Sequence, residues 1–165
     1  MSGRSLKIWL VVSLVVFLGC FGTKQISDNE RKGEKEHKGS YACAACCIDG
    51  AFYPTLEKWV KKTYRVEYVD PITHAGLDGT MAEKTDISTI RNFKYNIGVS
   101  VNGHKSKVLV IAGHENCIGA PGDKNKHLAF LRQCKKVAED FNFKGVKIVL
   151  VWINRHKEVQ IVPEK

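Results

Sequence analysis

Between residues 41 and 162 the chain repeats one pattern: a short, nearly apolar run, then a stretch whose apolar residues recur every three or four positions. Tyr41–Ile48, Val108–Ala112 and Val146–Ile153 lack the strict polar alternation of a half-exposed strand, so they suit strands buried on both faces. Arg65–Ile72 reads as a further strand and Glu158–Val162 as a short last one. Amphipathic helices fill the gaps. Pro54 fits a first helical turn, and Leu56, Trp59, Val60 and Tyr64 follow on one helical face. Asp86 can cap a second helix, with Ile90, Phe93, Ile97 and Val101 along one side and Gly103 beyond its end. Leu128, Leu131, Cys134, Ala138 and Phe141 mark a third, closed by Gly145. Buried strands alternating with amphipathic helices predict an α/β domain, a mainly parallel sheet flanked by helices on both faces. In such sheets ligands bind at the carboxyl ends of the strands.

Upstream of residue 41 the composition changes. Residues 1–21 carry Arg4 and Lys7 and then an apolar run over 8–21. As a helix at about 1.5 Å per residue that run reaches about 21 Å, short of the ~30 Å hydrocarbon core of a bilayer. A basic start before a short apolar run predicts an export signal. Phe17-Leu18-Gly19-Cys20 resembles the lipobox of bacterial lipoproteins, in which the cysteine becomes the acylated first residue. Cys20 is therefore the expected membrane anchor, although Phe17 stands where leucine is usual; an uncleaved anchor is the alternative. Residues 22–40 hold one large aliphatic residue, Ile26, among mixed charges and predict a flexible tether, which leaves 41–165 as the folded domain.

The net charge of +9 raises the question of nucleic acid. Three of the nine net charges precede residue 41, and the remainder is scattered over lysines such as Lys61, Lys105, Lys124, Lys136 and Lys147. Scattered lysines are a solvated surface, not a nucleic-acid footprint. The chain has no GxGxxG and no Gly-Lys-Ser/Thr, so neither the dinucleotide fingerprint nor a P-loop is present.

The unusual residues cluster at two strand ends. Cys46-Cys47-Ile48-Asp49 closes the run Tyr41–Ile48, and Gly113-His114-Glu115-Asn116-Cys117 follows the run Val108–Ala112. His114 and Cys117 stand at H-x-x-C spacing, where a turn lets both face one metal, and thiolate and imidazole both suit zinc. Cys47 ends a different strand, with Asp49 two residues on and on the same face. Neither half is specific alone; two halves at two strand ends point to a metal. Cys43-Ala44-Ala45-Cys46 also spells C-x-x-C, which suggests a redox pair. In a strand, however, three residues span about 10 Å at ~3.3 Å each, whereas a disulfide needs Cα atoms roughly 4.4–6.8 Å apart. Cys43, Cys46 and Cys134 therefore read as packing residues.

These residues resemble the β-class carbonic anhydrase family, whose motif is C-x-D-x-R after the first strand and H-x-x-C after a later one. Cys47-Ile48-Asp49-Gly50-Ala51 matches the first half except at its last position, and Gly113-His114-Glu115-Asn116-Cys117 matches the second. Thr73-His74-Ala75-Gly76 stands where the family has a short segment ending in Ala-Gly that lines the pocket. The resemblance implies zinc held by Cys47, His114 and Cys117, with water or Asp49 in fourth place. It implies Ala75, Gly76 and Gly113 at the pocket, reversible hydration of carbon dioxide to bicarbonate, and a homodimer; His74, beside that segment, is a candidate proton acceptor. The departure is Ala51. The family's arginine at that position holds the aspartate away from the metal. Without it, Asp49 either closes the metal site, leaving a non-catalytic zinc-binding domain, or acts as a free acceptor for water. A zinc hydrolase acting on another small linear electrophile is a further alternative.

Overall fold

The computed structural model describes residues 39–163. The apolar run over 8–21, Cys20 and residues 22–38 of the charged segment lie outside them. Five strands form one sheet in the order β2-β1-β3-β4-β5. The strands are β1 (Tyr41–Cys46), β2 (Tyr68–Thr73), β3 (Val108–His114), β4 (Lys147–Ile153) and β5 (Val159–Ile161). The first four run parallel, with Ala45 opposite both Ile72 and Ile111, and His114 opposite Ile153. β5 is antiparallel to β4. Between the strands lie α1 (Tyr53–Tyr64), α2 (Leu77–Glu83), α3 (Ile87–Asn102) and α4 (Lys124–Asp140). Among the described residues, no helix is long and apolar enough to cross a membrane.

Side chains of a strand alternate between faces, and β1 feeds two separate cores by this rule. Ala42, Ala44 and Cys46 pack against Leu56 and Val60 of α1. Cys43 and Ala45 pack against Leu77, Met81, Phe93, Ile97 and Leu131 from the other three helices. Cys43 and Cys46 thus point to opposite faces and both thiols are free. The crossover from β1 to β2 runs one way along the sheet and those from β2 to β3 and β3 to β4 run the other way. They lie on opposite faces, as a common crossover hand requires. The chain diverges from β1 and β3, and the crevice between the carboxyl ends of these two neighbours is where such sheets bind ligands.

The capping predicted for α3 is present: Asp86 accepts from the backbone N–H groups of Ser88 and Thr89. Several boundaries differ from the sequence reading: β1 ends at Cys46 rather than Ile48, and β3 runs on to His114 rather than stopping at Ala112. β2 starts at Tyr68, because Arg65 adopts a left-handed conformation (φ 52°) at the end of α1 and the chain turns there. α4 ends at Asp140, before Asn142 (φ 60°), so Gly145 belongs to the following turn. α2 was not foreseen. It has seven residues, contains Gly79, and stands between two left-handed residues, Gly76 and Lys84.

Candidate metal centre

β1 and β3 are adjacent and parallel, so their ends deliver Cys47 and His114 to the same edge of the sheet. A turn after β3 returns Cys117 to them, with Asn116 left-handed at φ 60°. The ligand atoms of Cys47, His114 and Cys117 all lie within 4.8 Å of one another and all three residues are buried. The two sulfurs are 3.7 Å apart. That is far beyond a disulfide bond of about 2.05 Å, and it matches the separation of about 3.8 Å for two sulfurs held tetrahedrally at about 2.3 Å from one zinc.

His114 is set up for the same task. Its Nδ1 donates to the carbonyl oxygen of Glu115 at 3.0 Å, which leaves Nε2 as the lone-pair nitrogen. That Nε2 is buried and has no hydrogen-bond partner. An orphaned acceptor beside two thiols is costly in a protein interior unless something binds it. The ring is held flat by Phe52, stacked at 4.2 Å. Glu115 is itself anchored, because its carboxylate accepts from the backbone N–H and Nε of Arg155 at 2.9 and 2.8 Å. Those bonds, the backbone N–H first, hold its carboxyl below the usual range.

The sulfurs also find donors. Gly76 N–H points at Cys47 Sγ, 3.4 Å away. Burial pushes the Cys117 thiol up to about 11, while the Ala120 and Gly119 N–H groups aimed at its sulfur act in the opposite direction. A divalent cation would displace the thiol proton, and those amides would then donate to the thiolate sulfur. The residues present therefore fit a zinc ion: two thiols, one oriented imidazole nitrogen and amide donors behind the sulfurs.

The other residues singled out from the sequence stand around this group. Gly76 is left-handed at φ +56°, and a Cβ there would meet the Gly119 carbonyl carbon at 2.3 Å, so only glycine permits this close backbone approach. Ala75 is exposed beside it, and its carbonyl oxygen accepts from His74 Nδ1 at 2.9 Å. His74 is half-buried, with Phe93 edge-on to its ring at 5.5 Å. Asp49 is half-buried and stands outside the Cys47–His114–Cys117 group. Its Oδ1 accepts from the Ala51 N–H at 2.9 Å, so a backbone amide holds the carboxylate where the family motif has an arginine. Below His114, side chains including Phe52, Tyr53, Leu56 and Ala112 enclose an apolar cavity of about 10 Å³, room for about one water. The wider grooves, 580 Å³ between β2 and α3 and 350 Å³ at the amino ends of β3 and β4, contain none of the three cluster residues.

Two residues that the sequence reading passed over are built into the surroundings. Asp78 of α2 and His127 of α4 are almost wholly buried and bonded to each other, Nδ1 to Oδ2, at 2.5 Å. A Cβ on Gly113 would meet Asp78 Oδ2 at 2.7 Å. No periodic signal marked the pair: Asp78 lies in a seven-residue helix without an apolar repeat, and His127 stands one position before the first apolar residue of the α4 pattern.

Solved structures similar to the chain are carbonic anhydrases at low identity. The carbonic anhydrase of Streptococcus mutans is 12% identical with a TM-score of 0.49, over 73% of this chain and 81% of that one. A β-carbonic anhydrase of the fungal pathogen Aspergillus fumigatus is 12% identical with a TM-score of 0.47, over 74% and 76%. One of two tetrameric β-carbonic anhydrases of Sordaria macrospora is 13% identical with a TM-score of 0.44, over 74% and 81%. No curated protein matches the chain. A family model described as "Putative carbonic anhydrase" matches residues 37–163, which include every strand and the whole cysteine–histidine cluster, and the chain belongs to that family.

Proposed function

We propose that this domain is a zinc-dependent lyase that interconverts carbon dioxide and bicarbonate, with the metal on Cys47, His114 and Cys117. The observation that carries the reading is the convergence of these three buried ligand atoms, the His114 Nε2 among them lacking any other partner. Zinc at such a site supplies a Lewis acid that brings the pKa of water down to about 7, so that hydroxide is available to attack the carbon. The chain's own residues do the rest. Glu115 and Phe52 orient the imidazole. Asp49, held by the Ala51 amide, offers its carboxylate as the acceptor that orients the attacking water. His74 is the proposed proton acceptor at the rim, with Ala75, Gly76 and Gly113 forming the backbone wall.

The test is zinc stoichiometry together with stopped-flow hydration of carbon dioxide on the full chain. About one zinc per chain and hydration above the zinc-free background are expected. Zinc retained in full by Cys117→Ala would exclude the site.

Ala51 favours a second reading, in which the same metal is structural and Asp49 completes its coordination. Zinc-loaded protein without hydration activity, combined with weaker zinc binding in Asp49→Ala, would establish that reading over the first.

The basic start, the apolar run and Phe17-Leu18-Gly19-Cys20 support export, with an acyl anchor on Cys20. Mass spectrometry of the native protein is expected to find a mature chain that begins at an acylated Cys20. Ile48 and Ile118 are 62% and 94% exposed beside the cluster, which supports pairing of two copies. Sedimentation is expected to give a dimer.

A further inference from the structure

The short helix α2 touches all three segments that carry the cluster. Gly76, just before it, donates its N–H to Cys47 Sγ. Gly76 and Gly79 lie against Gly119 and Ala120, just beyond Cys117. Asp78 lies against Gly113, the neighbour of His114. A seven-residue helix is not stable alone, so its place is set by what holds it from behind. Leu77 and Met81 are fully buried but non-directional. The directional ties are the Asp78 carboxylate to His127 Nδ1 at 2.5 Å and the Cys134 thiol, which donates to the Asp78 carbonyl oxygen at 3.1 Å. Both partners sit on α4, one near its start and one two turns on.

Resting on the metal site proposed above, we infer that Asp78 and His127 are positioning residues of the metal centre. The pair pins α2 to α4, and α2 in turn holds the Gly76 amide on one ligand sulfur and the Gly119–Ala120 backbone behind the other. Neither residue touches the metal. The pair is nonetheless specific: a buried carboxylate needs its partner, and truncating either one leaves an unpaired polar group inside a packed core. Freed from the tie, α2 shifts to rehydrate the carboxylate and takes the Gly76 amide with it.

The experiment measures zinc affinity of the full-length protein by competition with a chromophoric chelator, with zinc ion as the only probe. Losses at residues behind metal ligands run at about 10–100-fold in affinity, and Asp78→Ala and His127→Ala are each expected to fall in that range. Asp78→Asn, which keeps an acceptor for Nδ1, is expected to recover most of the loss. The double alanine variant should be no weaker than the weaker single one, because both remove one tie. Val137→Ala, a cavity on the same helix and in the same core, controls for general destabilisation and should lower the melting temperature without changing zinc affinity. In the cobalt-substituted protein the thiolate–cobalt absorption should move in Asp78→Ala and not in Val137→Ala. Where the alanine variants do not fold, Asp78→Asn and His127→Gln carry the same comparison, with His127→Gln the weaker binder. Folded variants within twofold of wild-type affinity, or an equal loss in Val137→Ala, overturn the inference while leaving the site intact. A wild-type chain that takes no zinc overturns the site itself.

Discussion

The phenyl ring of Phe52 lies on the imidazole of His114 with centroids 4.2 Å apart and planes 27° from parallel, and the ammonium of Lys157 sits 3.5 Å above the ring's other face. Phe52 immediately precedes α1, and His114 ends β3. The stack thus fixes a ring that has a single hydrogen bond, to the Glu115 carbonyl. Cation, aromatic ring and ligand form one layered unit on the side of the sheet opposite α2.

Removing the middle layer should loosen the ligand without removing it. An aromatic pair contributes about 0.5–1.5 kcal/mol beyond its buried area, so Phe52→Ala is expected to weaken zinc binding by about 2–10-fold, as read by chelator competition. Lys157→Met should have a smaller effect, because an exposed cation–π contact is worth about 0.5–1 kcal/mol. Equal affinity in Phe52→Ala and wild type would show that the Glu115 carbonyl alone orients the ring.

Gly113→Ala should be severe for a substitution of one methyl group. The new Cβ would fall 2.7 Å from Asp78 Oδ2, an atom already committed to His127. Overpacking of this kind costs about 1–3 kcal/mol, and here it strikes beside a ligand. Urea unfolding should show the destabilisation and chelator competition a loss of zinc affinity. A neutral result in both would mean that α2 adjusts freely.

Alkaline pH should destabilise the fold through its structural cysteines. Burial pushes the thiols of Cys43 and Cys46 up to about 12 from an ordinary 9.0, and Cys134 is raised as well. Below pH 9 the thiols are protonated in both folded and unfolded chains, and their contribution is fully present. Between about 9 and 12 the unfolded chain releases protons that the folded chain keeps, so stability falls as pH rises. The urea midpoint of the zinc-loaded protein should therefore drop between pH 8 and pH 10.5, and Cys43→Ala should flatten the decline. A constant midpoint over that range would contradict the assignment.

Asp49 tests the missing arginine. Its carboxylate is held by one backbone amide. General-base assistance typically contributes 10²–10⁴-fold, so Asp49→Ala should lower hydration by at least about 100-fold if the residue orients water. Ala51→Arg should raise hydration, because it restores a fixed cation to the carboxylate. Hydration unchanged in both variants would remove Asp49 from the reaction.

Much of the domain is legible in the sequence. Apolar runs and helical periodicities are local signals. They gave β1, β3, β4 and three of the four helices to within a few residues, because burial on both faces of a parallel sheet leaves no room for polar alternation. The C-x-D and H-x-x-C spacings singled out Cys47, His114 and Cys117, and the structure gathers those three within 4.8 Å. β2 began later than expected because the left-handed turn at Arg65 has no glycine to announce it. α2 escaped notice because seven residues that include a glycine carry no periodicity.

What the sequence by itself determined was the alternation of elements and the chemical identity of three metal-type ligands, since both are written in neighbouring residues. Only the tertiary structure decided the separation of the sulfurs, the orphaned Nε2 of His114 and the meeting of Asp78 with His127. Asp78 and His127 are 49 positions apart in the chain. Their contact arises because α2 and α4 cross the same face of one sheet, and long-range packing of that kind leaves no periodic trace in the residues that make it.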